Sequence, residues 1–210
     1  MRGKVVVVGL LLSVLMVMSV QAGLNVGGKI WVEELTIGVG GDEGTVDGVA
    51  VGPTVSLDLG DSLWVSGSWL VGLFDLEDGD NMTTQDAEAV LAMSFDWLDI
   101  GVGFRYSVDQ ISLGGGTEDA VKMGPMAYAG VGSSFGDSPI GWYAAGSWMF
   151  YDLADDWVDG GGKHYNVEGG LSRFLDPLTA TVGYRYKDHY DIDGVDFTYA
   201  GITATAGFSF

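Results

Sequence analysis

The chain of 210 residues has no cysteine, so neither a disulfide framework nor a thiolate metal site is open to it in an oxidising compartment. After residue 22 it has no apolar run long enough to cross a bilayer as a helix. Basic residues are scarce: nine Lys and Arg stand against 29 Asp and Glu, a formal charge of −20. Phosphate binding needs clustered Lys and Arg, so nucleic acid is excluded as a partner. Hydrophobic residues nevertheless make up 47% of the chain. They are broken up by alternation, which favours strands with one face in lipid, and only a closed barrel lets such strands satisfy every backbone group in hydrocarbon.

The first 22 residues read as a secretory leader. Arg2 and Lys4 form a positive start, Val5 to Val20 an apolar stretch, and Val20-Gln21-Ala22 a small-residue cleavage site before Gly23. Removing 1–22 leaves residues 23–210, 188 in number (210 minus 22), which suit one domain. Loss of two positive residues takes the formal charge from −20 to −22.

Period-2 alternation then recurs as ten segments, at 24–34, 47–59, 63–74, 87–96, 99–110, 122–135, 140–151, 163–174, 178–188 and 195–210. Short connections at Gly60-Asp61-Ser62, Trp97-Leu98, Gly136-Asp137-Ser138-Pro139 and Leu175-Asp176-Pro177 read as periplasmic turns. Longer acidic or Gly-rich connections at 35–46, 75–86, 111–121, 152–162 and 189–194 read as outer loops. The pattern predicts an all-β, closed antiparallel up-and-down transmembrane barrel of about ten strands. Parity puts Val49, Val51, Val55, Leu57, Trp69, Val102, Phe104, Trp148, Ile202 and Phe208 toward lipid. It puts Thr54, Ser66, Gly101, Gly130, Ser147 and Thr181 in the lumen. A water-soluble barrel would show the inverse sorting.

Aromatics gather near both ends of the segments, as in the girdles of membrane barrels. On these features the mature sequence resembles the small bacterial outer-membrane β-barrel proteins of the OmpA, OmpX and OmpW type. Phe210, with Phe208 on the same face, is similar to the assembly signal of that class. The resemblance implies outer-membrane localisation in a Gram-negative envelope, lipid and lipopolysaccharide as surroundings, and the barrel-assembly machinery as a partner.

Of the seven basic residues of the mature chain, Lys29, Arg105, Lys122, Arg185 and Lys187 fall on lumen parity, accompanied by Glu33, Glu88, Glu168 and His164. A turn at Trp97-Leu98 would set Arg105 opposite Val90 and diagonal to Glu88. A two- or four-residue turn between the eighth and ninth segments would set Arg185 opposite Asn166 and diagonal to Glu168. Diagonal neighbours are within reach of long side chains. Two readings stand: a salt-bridge plug, or a narrow pore whose cations select anions.

Catalysis has a weaker basis. Asp78-Gly79-Asp80 and Asp188-His189 look similar in kind to the acid and imidazole pairs of the omptin proteases, but adjacent Asp188 and His189 would point to opposite faces of a strand. Ser147 and His164 on neighbouring strands are a formal hydrolase pair. Gly114-Gly115-Gly116 and Gly160-Gly161-Gly162 precede neither a helix nor a Lys-Ser/Thr pair, so they are loop segments and not phosphate cradles. No cofactor is expected. The densest acidic stretch carries Asp75, Glu77, Asp78 and Asp80, which could hold Ca²⁺, although EF-hand spacing is missing. The expectation is a non-enzymatic outer-membrane barrel with an envelope structural or surface-interaction role. An anion-preferring channel and an omptin-like surface hydrolase are the alternatives.

Overall fold

In a computed structural model of the protein, the structure describes residues 23–76, 80–113, 116–150, 163–192 and 195–210. The leader read from 1–22 and the outer loop read from 152–162 lie outside them. Ten strands follow one another: β1 (Leu24–Val39), β2 (Asp42–Asp58), β3 (Leu63–Asp75), β4 (Asn81–Phe95), β5 (Leu98–Leu113), β6 (Gly116–Ser134), β7 (Ile140–Met149), β8 (Lys163–Leu175), β9 (Leu178–Ile192) and β10 (Val195–Ser209). Each pairs antiparallel with its sequence neighbours, and β10 returns to β1 to close the barrel. At the level that all ten strands share, closure gives every described strand a partner on both sides.

The wall is sheared. Cross-strand partners lead from Thr36 through Thr198, Asp188, Tyr165, Trp148, Ala127, Val102, Leu91, Val65 and Leu57 to Leu24. One circuit therefore re-enters β1 twelve residues lower (36 minus 24). With a rise of about 3.3 Å per residue and strands about 4.8 Å apart, that stagger over ten strands corresponds to a tilt of ~40°.

Alternation sorts the faces. Val49, Val51, Trp69, Ile100, Val102, Phe104, Trp148, Val182, Ile202 and Phe208 stand exposed on the outside. An apolar band running around the whole wall marks a surface solvated by hydrocarbon. Leu57 keeps its outward parity, in register with Leu24 and Val65, but is only 1% exposed.

The strands run further than the alternation suggests. Residues 35–46, read as a loop, are strand except for a turn at Gly40-Gly41, where both φ angles are positive (61° and 100°). A two-residue hairpin with two positive φ values calls for this glycine pair. Likewise β4 begins at Asn81, and the β5–β6 hairpin keeps pairing to Leu113↔Gly116. Beyond the apolar band the strands need no apolar outer face, so their outside turns polar and resembles loop sequence.

Their inner face turns apolar at the same level. Trp31, Leu35, Ala50, Leu70, Phe74, Met82, Phe197 and Tyr199 pack together inside the long-hairpin half of the lumen. The small and polar lumen expected from parity is therefore capped by an aromatic core. Truncating a fully buried aromatic to Ala typically costs about 3–5 kcal/mol, which sets the worth of this layer. Gly48 is what lets it close: a Cβ there would lie 2.3 Å from the Phe74 ring.

Candidate functional site

Beside the aromatic cluster, and partly in register with it, the strands aim charged side chains at the barrel axis. β1 supplies Lys29 and Glu33, β4 Asp86 and Glu88, β5 Arg105 and Asp109, and β6 Lys122. β8 supplies His164 and Glu168, and β9 Arg185, Lys187 and His189. All of them sit at alternate positions of their strands, which is the spacing that keeps a row on one face.

Asp86 is the hub. Its Oδ1 lies 3.1 Å from Arg105 Nε, its Oδ2 accepts from Arg185 Nη2 at 2.9 Å, and Lys187 Nζ stands 3.7 Å from Oδ2. Arg105, 1% exposed, also donates to Glu88, to Ser147 Oγ at 3.4 Å and to Nε2 of His164. An Nε2 that accepts from a guanidinium carries no proton, so His164 is the neutral Nδ1 tautomer. Arg185 Nε donates to Asn166 Oδ1 at 2.6 Å. A second cluster lies nearer the short turns, where Lys29 pairs with Glu168 and Glu168 Oε1 accepts from Tyr143 (2.9 Å) and Thr203 (3.2 Å).

The aromatic cluster and the ionic network are joined by cation–π contacts. Arg185 lies 4.5 Å from the Trp31 ring centroid and Lys187 4.0 Å from that of Tyr199. Lys122 is 5.9 Å from the Phe197 ring. The rings of His164 and His189 pack tilted against each other with centroids 4.1 Å apart, and His189 Nδ1 is 3.8 Å from Asp109 Oδ2.

Counted over these residues, Lys29, Arg105, Lys122, Arg185 and Lys187 meet Glu33, Asp86, Glu88, Asp109 and Glu168, five cations against five carboxylates. The network is neutral when both imidazoles are neutral. A matched buried network of this kind adds little stability over an apolar core, but removing one member is costly because the remaining charge is stranded. On the short-turn side the lumen opens into a cavity of about 490 Å³ whose walls include Ser94, Asp99, Tyr128, Tyr143, Ser172 and Thr181. There Trp64 Nε1 donates to Ser94 Oγ (3.2 Å), and Ser94 donates in turn to Asp99 (2.6 Å).

All nine lumen residues named from the sequence point inward, but in a different register. Leu98 pairs with Phe95, so the turn is Asp96-Trp97, with Asp96 at φ 60°. Arg105 thus lies directly opposite Glu88, not Val90, and Arg185 opposite Glu168, not Asn166. A slip of two residues preserves the face and changes the partner. Sequence reasoning misses Asp86, Asp109 and His189. Asp86 and His189 fall in segments that read as loops, although the run Thr84, Asp86, Glu88, Val90, Ala92 already carries one inward row. Asp109 shares parity with Arg105 and is legible from it.

The other candidates separate. Asp75 is exposed at the end of β3, and Glu77 and Asp78 lie outside the described residues. Among the described residues no group of three or more His, Asp or Glu side chains could hold a metal ion. Asp188 and His189 face opposite sides of the wall: His189 is fully buried, whereas Asp188 accepts from Thr198 Oγ1 at 3.0 Å. Ser147 and His164 both face the lumen, buried against Arg105, not the bilayer surface where a lipid hydrolase would need them.

No protein-family model matches the chain, and no curated protein matches it in sequence. Among solved structures it is similar to Neisserial surface protein A, with 10% identity and a TM-score of 0.45 over 89% of this chain and 97% of that one. It is also similar to the translocator domain of the autotransporter NalP from Neisseria meningitidis, with 10% identity and a TM-score of 0.48 over 94% and 92%. Against Ail, the attachment invasion locus protein of Yersinia pestis, identity is 12% and the TM-score 0.41 over 89% and 99%. Likeness at this level carries no information about activity or partners.

Proposed function

We propose that the protein is an integral outer-membrane barrel, exported behind residues 1–22, that is non-enzymatic and closed at neutral pH, and that serves the envelope as a structural wall and surface-facing scaffold. The observation that carries this reading is the filled lumen. An aromatic cluster around Trp31, Phe74 and Tyr199 packs beside a matched ionic network around Asp86 that reaches from β4 to β9, and together they fill the bore. A selective pore needs charges that can shed their partners to passing ions. Here each anion-attracting cation has a carboxylate counterpart in the count. Phe208 and Phe210, outward and 50% and 79% exposed, are suited to recognition by the barrel-assembly machinery. Lipid and lipopolysaccharide then form the surroundings of the apolar band. The acidic hairpin ends, with Asp42 and Glu43 exposed at the tip of β2, face outward from the cell.

Planar-bilayer recording of the refolded mature barrel at pH 7.5 tests the reading. The expected result is insertion without unitary conductance steps. Steady open-channel currents at that pH would overturn it.

A further inference from the structure

Neutrality of the plug depends on two groups that contribute no charge. His164 and His189 lie ring against ring within the network, both essentially inaccessible, and either would become a cation on gaining a proton. The groups around them set the effect of that proton. Arg105 of β5, Lys122 of β6 and Lys187 of β9 act on the pair as cations. The carboxylates facing it are Asp86 of β4 and Asp109 of β5. Ser147 of β7 bonds to Arg105, Tyr199 of β10 lies 5.8 Å from His189, and Glu33 of β1 acts on Lys187, Arg185, Asp86 and Asp109. Three cations therefore stand against two carboxylates, and Asp86 already serves Arg105, Arg185 and Lys187.

We infer that the His164–His189 pair is an acid-operated latch on the lumen plug. A proton on His164 Nε2 removes the acceptor that Arg105 uses and sets a cation against the guanidinium. A proton on His189 adds charge between Lys122, Lys187 and the first imidazole. The short ring separation means that both imidazoles cannot be cationic and remain in contact. Relief comes from separating the rings. Since His189 packs on Tyr199, and Tyr199 on Trp31 and Phe74, displacement of the pair is passed directly to the aromatic layer. The plug thus holds at neutral pH and loosens in acid, and the barrel becomes conductive.

The inference rests on the reading of the protein as a closed membrane barrel, which the pH 7.5 recording tests separately. Conductance of the same inserted barrel is then followed as the bath is acidified. Because burial and the cations Arg105, Lys122 and Lys187 oppose the added proton, a step in conductance is expected on the acid side of the ordinary histidine range, below about pH 5, reversible on return to pH 7.5. His164→Gln together with His189→Gln keeps polar side chains that cannot gain a proton, and this double variant should lose the step. Each single variant is measured as well, so that a failure of the double variant to fold still leaves a readout, and each should reduce the step. Retained barrel folding is checked by far-UV circular dichroism in the same detergent. A flat conductance from pH 7.5 down to about pH 3, below the ordinary histidine and carboxylate ranges, or an unchanged step in a folded single or double variant, would overturn the latch.

Discussion

Asp86→Asn is the sharpest perturbation of the plug because it changes one charge and almost no shape. Asp86 is 5% exposed and within ion-pair distance of Arg105, Arg185 and Lys187. The substitution leaves five cations against four carboxylates, and the excess charge has no route to water except by opening the plug. Breaking a buried ion pair by removing one partner costs about 3–5 kcal/mol, which is roughly two to four orders of magnitude in the folding constant. Asp61→Asn in the exposed β2–β3 turn supplies the control, where an isolated surface charge is worth roughly 0–1 kcal/mol. Urea titration of the barrel in lipid vesicles, followed by tryptophan fluorescence, measures both. Charge balance and the loss of one particular contact are separated by a second variant. Asp86→Asn combined with Lys187→Met returns the network to four against four, so it should recover part of the lost stability, a non-additivity expected of residues in one network. Equal effects of Asp86→Asn and Asp61→Asn, or a double variant at the simple sum of its parts, would show that charge balance does not hold the plug.

Orientation is tested by single cysteines, which no native thiol confuses. Asp42→Cys should react with an impermeant maleimide on intact cells, while Asp61→Cys and Asp137→Cys should react only after the outer membrane is breached; the reverse pattern would invert the topology. Gly48→Val should destabilise the barrel by about 1–3 kcal/mol through overpacking against Phe74, and its combination with Phe74→Ala should cost less than the sum of the two single losses, as monitored by the same urea titration.

The fold is legible in the sequence because lipid demands a simple code. Rows such as Val49, Val51 and Ile100, Val102, Phe104 have to be apolar on the outside, and that alone reveals ten strands and their faces. Above the apolar band the code inverts, with Thr36 and Asp47 outside and Leu35, Ile37 and Phe197 inside. Segments 35–46 and 75–86 consequently read as loops. Register is the weakest inference, because sliding the β4–β5 turn from Trp97-Leu98 to Asp96-Trp97 keeps every side chain on its face. The charged lumen residues are visible as a set, since charge on a strand's inner row is rare. Their central member, Asp86, is hidden by the misplaced start of β4, and the aromatic layer is hidden by the same inversion that hides the strand ends.

The ionic layer also has a mechanical meaning. A ten-stranded wall is a hoop only one residue thick, and hydrogen bonds between neighbours resist tearing far better than they resist flattening. Asp86 on β4 and Arg185 on β9 are five strands apart, at opposite ends of a diameter. Lys29 on β1 and Glu168 on β8, and Arg105 on β5 and His164 on β8, span chords in other directions. These contacts act as spokes. Lateral pressure from the bilayer that would press a hollow hoop into an oval must here stretch or shorten several ion pairs at once, so the cross-section is held by side chains the wall itself could not supply.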